Sequence, residues 1–340
     1  GRMAEWGEPR FRADQVCGWI YGRKVFNYHE MSNLSKSLRE RLSGSLLMPL
    51  PVLIREQASR DGTRKYLWQM TDGERVESVL LNHGGHTTAC ISSQVGCPLA
   101  CAFCATGSLG FTRNLTPGEI LGQFLMMERR RLDAGVEQGI NNIVFMGMGE
   151  PLANYKAVLG TIRTLIAPVP GGFGMSARGI TVSTVGLVPQ IGRLAGEGLP
   201  VTLAVSLHAP DDDLRNEIVP VNNRWSVTEV VDAAWEYARV TRRRVSIEYA
   251  LMRDINDSVS RANLLADVLK RRGDWGWVHV NLIPLNPTPG SRWTASRPKD
   301  EATFIATLER RGVPVTLRDT RGSEIDGACG QLAARETAGV

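Results

Sequence analysis

From residue 88 onward the chain repeats one pattern, a short apolar run followed by a longer amphipathic one. Apolar runs at 88–93, 141–146, 180–184, 201–207, 245–251 and 278–283 read as strands. Stretches at 117–134, 154–167, 187–197, 227–241, 259–272 and 298–311 read as helices, and a last strand is expected at 313–318. Six βα units in succession leave few folds open. Each strand needs a crossover to reach a parallel neighbour, so a parallel sheet with crossover helices is predicted. No Gly-x-Gly-x-x-Gly follows the first strand, which argues against a dinucleotide-binding sheet. The fold class expected is α/β, a partial (β/α)6 barrel.

The strand ends carry polar residues. The second strand runs into "GMGEP" at 147–151, and the third ends near Ser183. The fourth leads into Ser206, Leu207 and His208, and the sixth into a proline-rich stretch that holds Asn286. In βα barrels the C-terminal strand ends share one mouth, where chemistry is done. Glu150, Ser183, His208 and Asn286 are therefore expected to be neighbours. One polar strand end means little; four of them, with a cysteine-rich loop after the first strand, mean more.

Upstream, residues 64–82 alternate about Thr71-Asp72-Gly73, a hairpin signal. Residues 48–52 read as a linker, because two prolines bracket a leucine. Residues 1–48 read as short helices, one with Phe11, Val16, Trp19 and Ile20 roughly on a common face. The expected division is a helical accessory module over 1–50, a linker and hairpin extension over 51–85, and a barrel with a C-terminal loop over 86–335.

Composition narrows the setting. No run of eighteen apolar residues occurs, so no membrane span is expected, and the first residues show no apolar core of a secretory signal. Six cysteines in 340 residues are too sparse and too clustered for a disulfide scaffold, so a reducing cytoplasm is expected. Net charge is +5, and basic residues come in clumps at 129–131, 242–244, 270–272 and 310–311. Such clumps suit helix C-termini. They also permit a nucleic-acid partner without requiring one.

Three of the cysteines, Cys97, Cys101 and Cys104, fall within eight residues as C-x3-C-x2-C. A structural zinc ion wants four ligands, and His83, His86 and Cys90 upstream could supply a fourth, at irregular spacing. Three unligated buried thiols beside Gly96, Pro98 and Gly107 are the bland alternative. A four-iron cluster is the third reading. Such clusters normally take four thiolates, so three would leave one iron open to a small molecule.

A C-x3-C-x2-C loop after the first strand of a partial barrel, with "GEP" after the second, resembles the radical S-adenosylmethionine (SAM) superfamily. The runs "CISSQVGCPLACAFCATG", "MGMGEPLAN", "VSTVGLVP", "SLHAP", "NLIPLNPTPG" and "RGSEIDGACGQLA" are similar to the RlmN/Cfr family of radical SAM RNA methyltransferases within it. The likeness extends from about residue 9 to 335. It implies that Cys97, Cys101 and Cys104 bind a [4Fe-4S] cluster and that SAM chelates its open iron. Gly149, Glu150, Ser183, Ser206, Leu207, His208 and Asn286 match the family's SAM contacts. Two further cysteines, Cys90 and Cys329, match catalytic positions.

An adenine carbon does not attack the methyl group of SAM directly, so the chemistry needs a radical. In this family two SAM molecules serve each turnover. By resemblance, Cys329 takes a methyl group from the first. The second yields a 5′-deoxyadenosyl radical that removes a hydrogen from that methyl, which then adds to the base. Cys90 helps resolve the adduct, leaving a Cys90–Cys329 disulfide to be reduced. Glu77 matches a proton acceptor, although a hairpin glutamate is ordinarily just solvated. Cys17 matches nothing and reads as a packed thiol. The N-terminal helices are expected to help grip RNA.

The resemblance implies methylation of adenosine carbon 2 in 23S rRNA, and in some members of tRNA. The alternative is the carbon-8 branch. Pro151 stands where that branch typically has alanine, Val95 where it often has cysteine, and "TRG" at 320–322 is the carbon-2 form. A metal-stabilised RNA-binding protein would not need Cys90, Cys329 or "GEP". A flavodoxin-type electron donor and a monomeric state are expected.

Overall fold

The structure, a computed structural model, describes residues 2–83, 85–286, 291–318 and 325. The N-terminal helices α1 (Arg2–Glu5), α2 (Arg10–Cys17) and α3 (Lys36–Ser45) close over a small core of their own, built from Val16, Tyr28, Met31, Leu34, Leu38 and Leu42. Ser35 starts α3 by accepting the Leu38 N–H, an ordinary N-cap.

Four antiparallel strands follow: β1 (Val52–Ala58), β2 (Arg64–Gln69), β3 (Arg75–His83) and β4 (His86–Cys90). The hairpin expected about Thr71-Asp72-Gly73 is β2–β3. The stretch read as a linker ends sooner than expected, because β1 starts at Val52. Its "REQ" centre hides the strand: this edge ladder is largely exposed, with a bulge between Leu53 and Arg55.

The cysteine loop lies next, between β5 (Gln94–Gly96) and β6 (Phe111–Asn114), which form a separate two-stranded ladder around α4 (Ala105–Ser108). The strand expected over 88–93 therefore stops at Cys90. Ile91 and Ser93 still donate to Val144 and Met148 carbonyls at 3.0 and 2.9 Å, but the chain is already turning out of the sheet.

From there the alternation runs as expected. It comprises α5 (Pro117–Asp133), β7 (Asn142–Phe145), α6 (Tyr155–Ile166), β8 (Ile180–Thr184), α7 (Val188–Gly196) and β9 (Thr202–Ser206). Then come α8 (Asp212–Ile218), α9 (Val227–Thr241), β10 (Val245–Leu251), α10 (Val259–Lys270), β11 (Val278–Pro284), α11 (Pro298–Arg310) and β12 (Val315–Leu317). Capping boxes, Thr116 with Glu119 and Ser226 with Glu229, start α5 and α9. The short α8 has no counterpart among the expected helices.

β4 and β7 to β12 pair in parallel, and the sheet order is β1-β2-β3-β4-β7-β8-β9-β10-β11-β12. Neighbouring strands lie about 4.8 Å apart, so six laid flat would spread over roughly 24 Å. Yet Phe145, Ser183, Ser206, Glu248, Ile283 and Arg318, carried by or just after six successive strands, line one cavity of about 230 Å³. The sheet must curl to bring them together, as a partial barrel does. Among the described residues, no helix is long and apolar enough to cross a membrane.

Candidate active site

Sheet register defines the inner face. Side chains alternate along a strand, and directly paired residues point the same way. Val79, Cys90, Val144, Thr181 and Thr202 pair in series across β3, β4, β7, β8 and β9. Two positions further along β8 stands Ser183, which lines the cavity. Cys90 therefore shares the inner face with the cavity residues. Glu77 lies two positions from Val79 on β3 and shares it too, as does Lys65, the β2 partner of Val79.

Cys97, Cys101 and Cys104 all line the cavity, with Gly149, Glu150, Ser183 and Ser206. Gly96 gives the loop its entry: its φ is +72°, and a Cβ there would fall 2.0 Å from the Gly110 carbonyl oxygen. Cys97 N–H then donates to that same oxygen at 2.7 Å. Burial pushes the Cys97 thiol up to about 12 and raises that of Cys101 as well. These thiols ionise only against compensating positive charge, so loading a metal centre must release protons. Among the described residues no three His, Cys, Asp or Glu side chains close on a single ion. Three thiols spread around one cavity suit a cluster, in which each sulfur binds a different iron.

Glu150 is 3 % exposed. Its carboxylate accepts the N–H groups of Leu152 and Val185 at 2.9 and 3.0 Å, and burial lifts its pKa to about 7. Its own N–H donates to Gln94 Oε1 at 2.7 Å. Gly149, at φ +100°, has no room for a side chain, since a Cβ would lie 2.5 Å from that of Gln94. Ser183 and Ser206 Oγ are 3.5 Å apart on adjacent strands.

The remaining predicted residues are placed differently. Leu207 is fully buried, and its carbonyl accepts Arg215 Nε at 2.9 Å. His208 is buried beside the site at φ +61°, edge-on to Phe103. Its Nδ1 accepts the Ala250 N–H at 3.0 Å, so the neutral ring carries its proton on Nε2. Neither Leu207 nor His208 lines the cavity. Asn286 follows β11 and is half-buried. Cys329 lies outside the described residues, and so does its pairing with Cys90. Cys90 itself is buried at the end of β4.

Burial drives the His208 pKa down to about 3, and the Arg215 cation adds to the effect. The unfolded chain thus binds a proton near pH 6.5 that the folded chain refuses until about pH 3. Stability is complete above the unfolded value and is lost as pH falls through that window, by at most about 1.4 kcal/mol per unit. Denaturant unfolding from pH 7 to 4 should show His208→Asn with a shallower acid loss than the parent.

Sequence reading missed two groups, Glu248 and Arg215, and misjudged the surroundings of a third. Glu77 is not solvated: it is 1 % exposed and paired with Lys65, also 1 % exposed, at 2.8 Å. The signal was available, since a hairpin closing about Asp72-Gly73 sets Lys65 diagonally across from Glu77. Glu248, a lone acid in the apolar run of β10, lines the cavity and accepts Ser246 Oγ at 2.6 Å and Asn281 Nδ2 at 2.8 Å. Arg215 is fully buried, donates to the carbonyls of Val185, Ser206 and Leu207, and ties together the ends of β8 and β9.

Comparison with known proteins bears on the fold and the family. Residues 3–47 match the ribosomal RNA large subunit methyltransferase N-terminal domain, and residues 91–262 match the radical SAM superfamily. A probable dual-specificity RNA methyltransferase RlmN from Nocardioides sp. is 58% identical over 98% of this chain and 89% of its own length. The counterpart from Cutibacterium acnes is 55% identical over 98% and 84%. A crystal structure of a radical SAM methyltransferase from Sphaerobacter thermophilus superposes with a TM-score of 0.92 at 45% identity, covering 97% of this chain and 95% of that one. The [FeFe]-hydrogenase maturase HydG, at 14% identity and a TM-score of 0.50 over 72% of this chain and 55% of its own, shares the fold alone. With relatives of that name more than half identical over nearly the whole chain, and its N-terminal-domain match ahead of a radical SAM match, the chain belongs to the RlmN family of radical SAM RNA methyltransferases.

Proposed function

We propose that this chain methylates carbon 2 of an adenosine in 23S rRNA, and of tRNA as a second substrate, through a methyl group carried on Cys329. The observation that carries the reading is the shared cavity: Cys97, Cys101, Cys104, Glu150, Ser183 and Ser206 line one space at the strand ends.

In this reading Cys97, Cys101 and Cys104 hold a [4Fe-4S] cluster. Gly149, Glu150, Ser183, Ser206, Leu207, His208 and Asn286 form the SAM site. The bound cluster and SAM supply the methyl group and the hydrogen-abstracting radical. The rest falls to the chain. Gly149 lets the backbone approach the cofactor closely, as its lack of room for a Cβ suggests. Glu150 offers a buried carboxylate to an ammonium group, which would relieve the burial that lifts its pKa. Ser183 and Ser206 offer hydroxyls from a rigid rim. Cys329 accepts the methyl group, Cys90 is the second thiol, and Glu77 takes the proton that leaves the base. Cys90 and Glu77 already share the inner face of the sheet. Residues 1–50 act as an RNA-gripping module joined through 51–85 to the barrel over 86–335. A monomer working in the cytoplasm with a flavodoxin-type donor completes the reading.

Nucleoside mass spectrometry tests it. Anaerobically reconstituted protein is given a reductant, methyl-deuterated SAM, and unmethylated 23S rRNA fragment or tRNA. Labelled 2-methyladenosine is expected, and it should vanish in Cys329→Ala. Labelled 8-methyladenosine would move the chain to the carbon-8 branch. No labelled adenosine, from protein with a full cluster that still cleaves SAM, would sink the RNA assignment.

A further inference from the structure

The basic clumps gather at one end of the sheet. In a parallel βα fold every helix ends where the next strand begins. The clumps at 242–244, 270–272 and 310–311 follow or end α9, α10 and α11, so they lie at the N-terminal ends of β10, β11 and β12. That is the end opposite Cys97 and Ser206. β10 and β11 have seven residues each, so the two ends are about 20 Å apart.

Some of these cations have a structural partner. Arg272 pairs with Asp232 at 2.6 Å and Arg311 with Asp267, and Arg239 in the last turn of α9 pairs with Glu236 at 2.7 Å. Arg242 and Arg244, like Lys270 and Arg271, are exposed and make no ion pair among the described residues. With Arg239, Arg243, Trp235 and Trp277, Arg242 and Arg244 line a groove of about 370 Å³.

Two local features set this groove apart from an ordinary helix end. Arg242 caps α9 at φ +54°, ψ +32°, the left-handed conformation that glycine or asparagine usually supplies. Helix termination alone would favour glycine there, whereas an arginine adds an exposed charge. Arg243 is anchored by Nη2 on Thr202 Oγ1 at 2.9 Å, but its Nε has no acceptor, and neither does Trp277 Nε1, although both atoms are buried. The groove thus offers spare positive charge and two indole rings, with two buried donors beneath its lining that lack a protein acceptor. A ligand that supplies several acceptor oxygens, negative charge and flat sugar or base surfaces matches it. Nucleic-acid backbone has all three.

We propose that this groove binds the sugar–phosphate backbone of a folded RNA at a helix remote from the base being methylated. The proposal rests on the reading that the substrate is RNA. At about 20 Å from the mouth the groove cannot touch the reacting base. It can recognise only an RNA whose fold returns to the far end of the barrel, and so would favour a folded substrate over an isolated stem-loop.

The test uses reconstituted holoenzyme and the variant Arg242→Glu/Arg244→Glu. Two RNAs are compared: a 23S rRNA fragment holding the target stem-loop with its neighbouring helices, and the stem-loop alone. For the long fragment, the variant should bind about tenfold more weakly, with a salt dependence shallower by one to two phosphate contacts. Its KM should rise while kcat at saturation stays unchanged. The stem-loop should be bound and methylated as by the parent. The milder Arg242→Gln/Arg244→Gln variant should show the same pattern at smaller amplitude, which separates loss of charge from loss of fold. Equal binding of the long fragment by variant and parent overturns the proposal, and so does an equal loss for both RNAs. Turnover that falls with a protein electron donor but not with dithionite, RNA affinity being unchanged, would instead assign the groove to an acidic redox partner. A parent holoenzyme that binds neither RNA overturns the RNA reading itself, and the groove with it.

Discussion

Cys101→Ala is expected to fold and to do no chemistry. The anaerobically reconstituted variant should lack the brown absorbance of a four-iron cluster, cleave no SAM and form no methylated adenosine, with turnover below detection. The reason lies in the donor set. Three cysteines line the cavity, so removing one leaves two thiols for a cluster that already has one iron without a protein ligand. The fold should survive because the thiol is small and faces a cavity. Cys101 is only peripheral to the apolar cluster of Ala209, Leu214, Ile218, Val219, Met252 and Trp293. The metal-free variant should therefore melt within a few degrees of metal-free parent. Cys17→Ala is the control: this half-buried thiol ends α2, far along the chain from the cavity, and its loss should leave cluster and turnover intact. A colourless parent, or a Cys101→Ala protein that keeps its cluster and turns over, would overturn the assignment.

The architecture was legible because it depends on local patterns. Strand runs separated by helical runs force parallel crossovers, and the observed β8, β10 and β11 agree with the runs read from sequence to within a residue. The mouth was legible for the same reason. Ser183 and Ser206 end strands, and strand ends in such a fold converge. What escaped depends on register and on contacts between distant segments. The edge strand β1 carries charges on an exposed ladder, so its period is masked. The β5–β6 ladder is set by pairing across the cysteine loop, which nothing in the individual segments announces. Arg215 sits in an acidic stretch, and only the meeting of three carbonyls from 185, 206 and 207 explains why it is buried. His208 was expected as a contact of the cofactor. Its side chain also holds the Ala250 N–H, so part of its role is to lock β9 to β10.

Lys65→Met should cost this protein about 3–5 kcal/mol, the loss that follows when one member of a fully buried ion pair is removed. Lys65 Nζ and a Glu77 oxygen are 2.8 Å apart, and each side chain is 1 % exposed, so solvent does not soften the change. The effect on stability does not by itself reveal function, because a purely structural pair would respond alike. The double variant Lys65→Met/Glu77→Leu separates the two. Replacing a buried pair by apolar residues of similar volume is often neutral or stabilising, so the double variant should recover most of the lost stability. If Glu77 takes the proton from the base, turnover should stay lost in the recovered protein. Glu77 shares the inner face of the sheet with Cys90, and Ser92 Oγ donates to its carbonyl at 2.6 Å, so the residue is held in place from the chain's turn toward the cysteine loop. Urea unfolding of the three proteins gives the stability order, and methylation with saturating RNA and SAM gives the other half. A double variant that regains both stability and turnover would make the pair a structural bolt in the barrel wall and remove Glu77 from the chemistry.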